Sequence, residues 1–363
     1  MELWFGSIRR YNWDVKIAID ISQVIYGTGV SVYTRELVTN LLKTDKENQY
    51  VLFGGSLRRR EELKRYIKNV IPLSPTLADL VWNRLHTFGV ERFIGNVDVL
   101  HSSDWTQPPT AAFKVTTVHD LAPINYPNET PKRIIEVHKR RLYWVMREVD
   151  RIIVPTNFVK DELKKLGADE KKIRVIYEAA GENFKKVTGE AVNETKKKFG
   201  IREDYIMALG IGERKNTKRI IEAYQKSKKN YKLVIVGGHA KTNFDERGVT
   251  YTGYISDEDL VGLYSGAKAL VYPSLYEGFG LPILQAFACE CPVVTSNIGA
   301  MKEVADTAAI LVDPMDVNSI AEGIDKAVDS PKTLIAKGLK RVKDFSWEKA
   351  ARETLKVYEE SRK

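Results

Sequence analysis

The sequence predicts an α/β protein of two doubly wound, Rossmann-like parallel sheets facing a cleft, and three observations carry that expectation. Short β-branched runs alternate with amphipathic helical stretches through two consecutive halves of the chain, the pattern of parallel strands covered by helices on both faces. The chain has 363 residues, more than a single core comfortably fills. The loops richest in glycine and charge follow the carboxyl ends of strands, where such sheets bind ligands.

In the first half, strands are expected at Lys16–Asp20, Tyr50–Phe53, Val99–His101, Lys114–Val118 and Arg151–Pro155. Helices are expected between and after them, at Ser31–Leu42, Arg59–Ile67, Ala78–Phe88, Lys132–Arg147 and Asn157–Leu166. The pattern loosens into a polar stretch near Glu182–Glu190 and then restarts. The second half reads strand Tyr205–Leu209, helix Thr217–Lys226, and strands Lys232–Val236 and Val249–Thr252. Helix Asp257–Tyr264, strand Ala269–Tyr272, helix Pro282–Cys289 and strands Pro292–Thr295 and Ala309–Val312 follow. The expected division is an extension over 1–14, a first domain over 15–185, a second over 186–345, and a C-terminal helix over 346–363 that crosses back to the first domain.

Composition narrows the function classes. Hydrophobic content of 43% with 29% charged residues is globular. No apolar run approaches a membrane span, and a signal-peptide core is not apparent. Cys289 and Cys291 stand two apart near a helix end, with neither metal-ligand spacing nor disulfide geometry, so a reducing cytoplasm is the expected setting. A net charge of +9 and a pI near 9.2 suit an anionic partner. The cations are scattered over helix faces without the stacking aromatics of an RNA module, so nucleic acid is not the expected partner. Abundant Lys and Glu resemble heat-adapted composition.

The most informative stretch runs from Tyr272 to Pro314. A strand breaks at Leu275-Tyr276, Glu277 follows, then the Gly278-Phe279-Gly280 turn, then Leu281-Pro282 opening a helix. Glycines that expose backbone N–H groups at a helix N-terminus favour anionic oxygens, whereas a carboxylate beside them would face hydroxyls. Phosphate next to hydroxyls describes a nucleotide or a nucleotide sugar. Gly210-Ile211-Gly212-Glu213-Arg214-Lys215-Asn216 places two cations before a helix, where they oppose its dipole unless an anion is present.

Weaker signals surround these. Gly27-Thr28-Gly29 after the first strand reads equally as a tight turn or as a phosphate or sugar contact. His119, followed by Asp120 at a strand end, reads equally as structural or as facing the cleft. Ser102 and Asp104 share that rim and are acceptor-side candidates. Gly253-Tyr254-Ile255 is free to meet a flat base, while Ser256 caps the helix after it.

Taken together, these segments resemble the retaining glycosyltransferases of family 4, also called group 1, with the two-domain GT-B architecture. The resemblance runs from Lys16 to the terminal helix. It rests on Gly27 to Val38, Asp98 to His101, Thr117 to Leu121, Glu213 to Asn216, Glu277 to Pro282, Ser296 to Gly299 and Phe345 to Trp347. The Arg-Lys-Asn and His-Asp-Leu spellings are similar to the polysaccharide mannosyltransferase subgroup. The resemblance implies a nucleoside diphosphate sugar held mainly by the second domain and a saccharide or lipid-linked acceptor on the first. Lys215 and Arg214 would bind the diphosphate, Gly278, Phe279, Gly280 and Leu281 would present backbone, Glu277 would meet sugar hydroxyls, and His119 would lie beside the reacting sugar. Neither cofactor nor metal is implied; the N-terminal extension reads as a frayed or packed arm ahead of a membrane contact, and peripheral contact with an anionic membrane stays open.

Two positions depart from the family's pattern. The second of its paired glutamates is Gln285 here, which should weaken ribose binding by roughly 1 kcal/mol. Ile211 stands where many relatives carry arginine. GDP-mannose is the first expectation for the donor, with UDP-glucose or UDP-N-acetylglucosamine behind it. A sugar-nucleotide epimerase, a nucleic-acid-binding module and a non-catalytic nucleotide-binding subunit are the rival readings.

Overall fold

The computed structural model describes residues 15–228, 230–238 and 248–362; the expected N-terminal extension lies outside them. Among the described residues, thirteen strands form two sheets. The first contains β1 (Lys16–Asp20), β2 (Gln49–Gly55), β3 (Asn69–Ile71), β4 (Val99–Ser102), β5 (Phe113–Thr117), β6 (Arg151–Val154) and β7 (Ile173–Val175). The second contains β8 (Tyr205–Leu209), β9 (Lys232–Val236), β10 (Val249–Gly253), β11 (Leu270–Tyr272), β12 (Val293–Ser296) and β13 (Ile310–Val312). Their orders are β3-β2-β1-β4-β5-β6-β7 and β10-β9-β8-β11-β12-β13, and the strands pair in parallel, with one isolated antiparallel bridge between Gly237 and Gly253. Ile17, Ala18 and Ile19 on β1 and Leu233, Val234 and Ile235 on β9 are buried whichever face they point to, as a sheet covered on both sides requires.

Strand order reverses between β1 and β4 and again between β8 and β11, so each sheet has a crevice at the carboxyl ends of its two central strands. The first crevice receives Asp20 and the segment after Ser102. The second receives the Gly210–Asn216 and Pro273–Glu277 loops.

Several elements differ from expectation. The strand expected at Lys114–Val118 is β5, shifted by one residue, and β3 and β7 are additional. The helix expected over Ala78–Phe88 is a short helix, Pro75–Ala78, running into a π-helical turn, Asp79–Arg84. It cannot continue because His86 and Phe88 adopt left-handed φ of 49° and 58°. The helix expected from Arg59 to Ile67 contracts to Arg60–Lys64. Helices Glu190–Lys198, Val317–Asp329 and Pro331–Arg341 add to the second half.

The C-terminal helix Trp347–Glu359 packs against the helix Gly29–Thr44 of the first half. Its Tyr358 hydroxyl lies 2.7 Å from His101 Nδ1, and Glu360 just beyond it pairs with Arg174 at 2.8 Å and with Arg151. Among the described residues no helix is long and apolar enough to cross a membrane. Cys289 and Cys291 are buried free thiols, and burial raises both above their usual range.

Candidate active site

The second crevice is built from β8 and β11. The loop after β8 turns through Gly210 and Gly212 at φ of 81° and 138°. A Cβ on Gly210 would come within 2.8 Å of the Lys215 side chain, so glycine is what lets Lys215 fold back over the loop. Asn216, left-handed at φ 62° and 2% exposed, fixes the loop's far end. Its Nδ2 donates to the carbonyls of Pro273 (3.0 Å) and Pro314 (2.6 Å), which joins the ends of β8, β11 and β13.

Lys215 Nζ lies 2.6 Å from Glu277 Oε1 and 3.0 Å from the Tyr272 hydroxyl, while Arg214 Nη1 lies 3.0 Å from Glu277 Oε2. Arg214 also donates to the Tyr276 carbonyl at 3.0 Å. For Glu277, burial favours the neutral acid, but Lys215 and then Arg214 outweigh it and hold the carboxyl below its usual range. Burial likewise opposes the charge of Lys215 and Arg214, and Glu277 overcomes it in both, so their pKa values rise. Two adjacent half-buried cations favour a counter-charge, and in this structure Glu277 supplies it. The anion inferred from their dipole-opposing position is therefore this carboxylate, and both its oxygens are engaged by cations.

The glycine turn after Glu277 is pressed against the first half. A Cβ on Gly278 would fall 1.9 Å from the His119 carbonyl oxygen, so no other residue fits without displacing one half from the other. Thr156 Oγ1 donates to the Gly278 carbonyl at 2.8 Å, and the Tyr276 hydroxyl donates to Glu162 (2.6 Å) while accepting from Leu121 N–H (2.9 Å). Glu129 accepts from the Arg214 N–H. On the flank, Glu303 accepts from the backbone N–H groups of Asn157 (2.8 Å) and Phe158 (3.0 Å), the open end of the helix Asn157–Lys165. The Phe279 ring packs near Tyr177 and Phe345 and serves the core. Gly280, at φ 100°, precedes the helix Leu281–Ala288, whose first turn has no side-chain cap, leaving N–H donors for an anion. Gln285 is buried and its Oε1 accepts from the Tyr264 hydroxyl at 3.3 Å. Gly253 ends β10; Tyr254 is exposed, and Ile255 is half-buried ahead of the Ser256 cap.

On the facing rim, His119 Nδ1 lies 3.3 Å from Glu178 Oε1, and its ring meets Tyr33 edge-on at 4.5 Å. Burial would lower the pKa of this histidine, but the Glu178 hydrogen bond and the carboxylates of Asp104, Glu178 and Asp120 raise it overall. Asp120 accepts from the Ala122 N–H at 2.8 Å, and burial pushes its carboxyl up. Asp104 is half-buried and held by Arg141 Nη1 at 3.1 Å. Ser102 is buried, with its hydroxyl 2.7 Å from Gln107 Oε1 and 2.8 Å from Thr116 Oγ1, and it borders a small space shared with Asp20, Asp104 and His119. Gly27 and Gly29 border open space, and Thr28 caps the helix Gly29–Thr44 through Ser31. Thr28 sits on the first half's crevice, where it lines a cavity of about 380 Å³ with Asp20, Tyr26, Trp82, Ser103 and Trp105.

Two residues of this rim were not expected. Arg141, 1% exposed, donates through Nη2 to Thr116 Oγ1 and the Thr117 carbonyl, both at 2.8 Å, and through Nε to the Ser103 carbonyl at 3.1 Å. An arginine on the buried Val137–Arg141–Val145 stripe of an amphipathic helix was a signal that could have found it. Glu178 follows β7, and recognising that strand would have placed it at a strand end.

Two parallel sheets facing a cleft, with cations and an uncapped helix on one side and a histidine–carboxylate pair on the other, form a GT-B architecture. The comparisons agree. The glycosyl transferases group 1 profile matches residues 192–341, and the glycosyltransferase family 4 profile matches residues 27–179. The O-antigen chain mannosyltransferase B of Escherichia coli is 30% identical over 281 residues, covering 72% of this chain and 74% of that protein. An uncharacterized glycosyltransferase of Methanocaldococcus jannaschii is 25% identical, covering 91% and 94% of the two chains. Among solved structures, sucrose-phosphate synthase from Thermosynechococcus elongatus superposes with a TM-score of 0.71 at 19% identity, over 95% of this chain and 98% of that one. Anabaena HepE in complex with UDP and glucose superposes with a TM-score of 0.70 at 14% identity, over 95% and 100%. The chain belongs to the group 1, or family 4, glycosyltransferases, which are retaining enzymes that transfer a glycosyl unit from a nucleotide sugar.

Proposed function

We propose that this enzyme moves mannose from GDP-mannose to a growing saccharide or lipid-linked chain without a metal ion, in the cytoplasm or at the inner face of a membrane. The observation that carries the reading is the Arg214–Glu277–Lys215 cluster beside the uncapped helix at Leu281. The relative at 30% identity, named an O-antigen chain mannosyltransferase, supports the sugar.

When the donor's diphosphate enters, Lys215 and Arg214 turn part of their hydrogen bonding from Glu277 to phosphate, and the freed carboxylate oxygens accept from sugar hydroxyls. Departure of the nucleotide builds charge on the β-phosphate, which these cations and the helix N–H groups stabilise. The acceptor attacks from the face the nucleotide leaves, and the departing phosphate takes its proton. His119, steadied by Glu178 and Tyr33, positions the reacting sugar. Gly253, Tyr254 and Ile255 border the base, Gln285 the ribose, and Asp104 and Asp120 the acceptor. Boundaries at 185 and 345 divide the working halves, whose apposition excludes water.

The test is transfer from GDP-mannose, compared with UDP-glucose and UDP-N-acetylglucosamine, in excess chelator, with proton NMR of the first product. The reading expects turnover with GDP-mannose and a retained anomeric configuration. Turnover only with a uridine donor, or only after a divalent ion is added, contradicts it.

A further inference from the structure

His101 is a buried titratable group that the transfer chemistry leaves unused. It is 4% exposed on β4, and burial, with the charges of His119 and Arg141 nearby, pushes its pKa down to about 3. It is therefore a neutral imidazole, with one N–H and one lone pair, and both ring nitrogens are engaged. Nδ1 lies 2.7 Å from the Tyr358 hydroxyl and Nε2 lies 2.9 Å from Thr117 Oγ1. A neutral ring that accepts on one side donates on the other, so the two bonds are set together.

Thr117 Oγ1 carries the path onward. It also lies 2.9 Å from the Tyr33 hydroxyl, and the Tyr33 ring meets His119 edge-on at 4.5 Å. Four elements converge here: Tyr33 stands on the helix Gly29–Thr44, His101 on β4, Thr117 on β5 and Tyr358 on the C-terminal helix. Arg141 Nη2, bonded to the Thr117 carbonyl at 2.8 Å, fixes the backbone just ahead of His119.

The C-terminal helix holds Tyr33 a second time. Trp347, at its start, meets the Tyr33 ring edge-on at 5.8 Å. Phe345, just before the helix, packs against Phe279 of the glycine turn at 6.0 Å. The segment that returns the chain from the second half thus touches the donor-side turn and the His119 rim together.

Filling the space between a helix and a sheet needs no polar groups, since apolar side chains of the same shape serve as well. A buried network in which each polar atom has a partner does something more: it fixes one arrangement of its members. Here the member in contact with the reacting rim is Tyr33, and the group it fixes is the His119 ring.

We propose that Tyr358, His101 and Thr117 are positioning residues of the transfer reaction, locking Tyr33 and through it His119, so that the C-terminal helix sets the ring beside the reacting sugar. This rests on the reading of His119 as the residue that positions that sugar.

The test compares Thr117→Val, which removes the shared hydroxyl at nearly constant shape, Thr117→Ser, which keeps it, and Tyr358→Phe, which removes only the far end. Steady-state transfer is measured with GDP-mannose, or with the uridine donor that the parent accepts. The His119 imidazole resonances are followed alongside, assigned by their loss in His119→Asn. kcat should fall about tenfold in Thr117→Val and about threefold in Tyr358→Phe. The donor KM should hold, because second-half loops bind the donor. Both variants should shift the His119 resonances, and Thr117→Ser should return kcat and resonances to those of the parent. A kcat that survives both substitutions overturns the proposal, as do unmoved His119 resonances or a loss that Thr117→Ser fails to restore. If Thr117→Val does not fold, Tyr358→Phe decides by the same two readouts. A parent that transfers from none of these donors sinks the transferase reading instead, and the resonances alone then decide whether the path locks His119.

Discussion

Between β8 and β11 the crevice is lined with formal charge: two cations share one carboxylate, and an uncapped helix opens beside them. Between β1 and β4 the equivalent crevice is walled by Tyr26, Phe53, Trp82 and Trp105, and its carboxylate, Asp20, is buried and pushed up in pKa. The two sheets share a topological device but not a chemistry. A charged crevice suits a diphosphate that must leave as an anion, and an aromatic one suits a neutral ring that must be oriented. The glycine turn at Gly278 meets the His119–Asp120 backbone, and the proposed function puts the chemistry at that seam.

Breaking the seam should have the largest effect. Gly278→Ala places a methyl in the His119 carbonyl, and transfer should fall by at least roughly a thousandfold, since misplacement of reacting groups by about 1 Å already costs about a hundredfold. Thermal melting should show both halves still folded. Activity near that of the parent would mean the halves do not work in this apposition.

Removing charge from the second crevice comes next. Lys215→Ala should lower turnover about a hundredfold, in line with loss of one preorganised charge contact. Unchanged turnover with the accepted donor would take Lys215 out of the phosphate site.

The first-half rim should respond more gently and through pH. Because the His119 pKa is raised from its ordinary 6.5, its pairing with Glu178 contributes fully below that value and is lost as pH rises through the raised one. Glu178→Gln should move the histidine's NMR titration to lower pH and cost about tenfold in transfer. An unmoved titration would mean that Glu178 does not set the charge of His119. The smallest effect is expected at Gln285, where Gln285→Glu should tighten nucleoside diphosphate binding by about 1 kcal/mol if the residue reaches the ribose. Calorimetry with ribose and deoxyribose nucleotides checks it, and equal affinities throughout would remove Gln285 from the ribose.

Much of this architecture was legible because it is local. The β-branched runs of β1, β8 and β9 and the Ser256 and Pro282 helix starts are written in consecutive residues. The three-residue strands β3 and β7 have no period long enough to detect, and with β7 went the reason to notice Glu178. Glu277 and Lys215 were each singled out from their own loops. Their pairing was not, since 62 positions separate them and only the β8–β11 adjacency brings them to 2.6 Å. The close approach of Gly278 to His119 is likewise a property of two halves in contact.

The claim on which the account depends is that the Arg214–Lys215 pair, partnered by Glu277 in this structure, is the diphosphate site. Calorimetry of GDP and GMP, each with the parent enzyme and with Lys215→Ala, tests it most directly. The parent should prefer the diphosphate by about tenfold or more, as expected for an added charge-assisted contact, and the preference should collapse in the variant while GMP binding barely changes. A diphosphate preference that survives in Lys215→Ala would contradict the account.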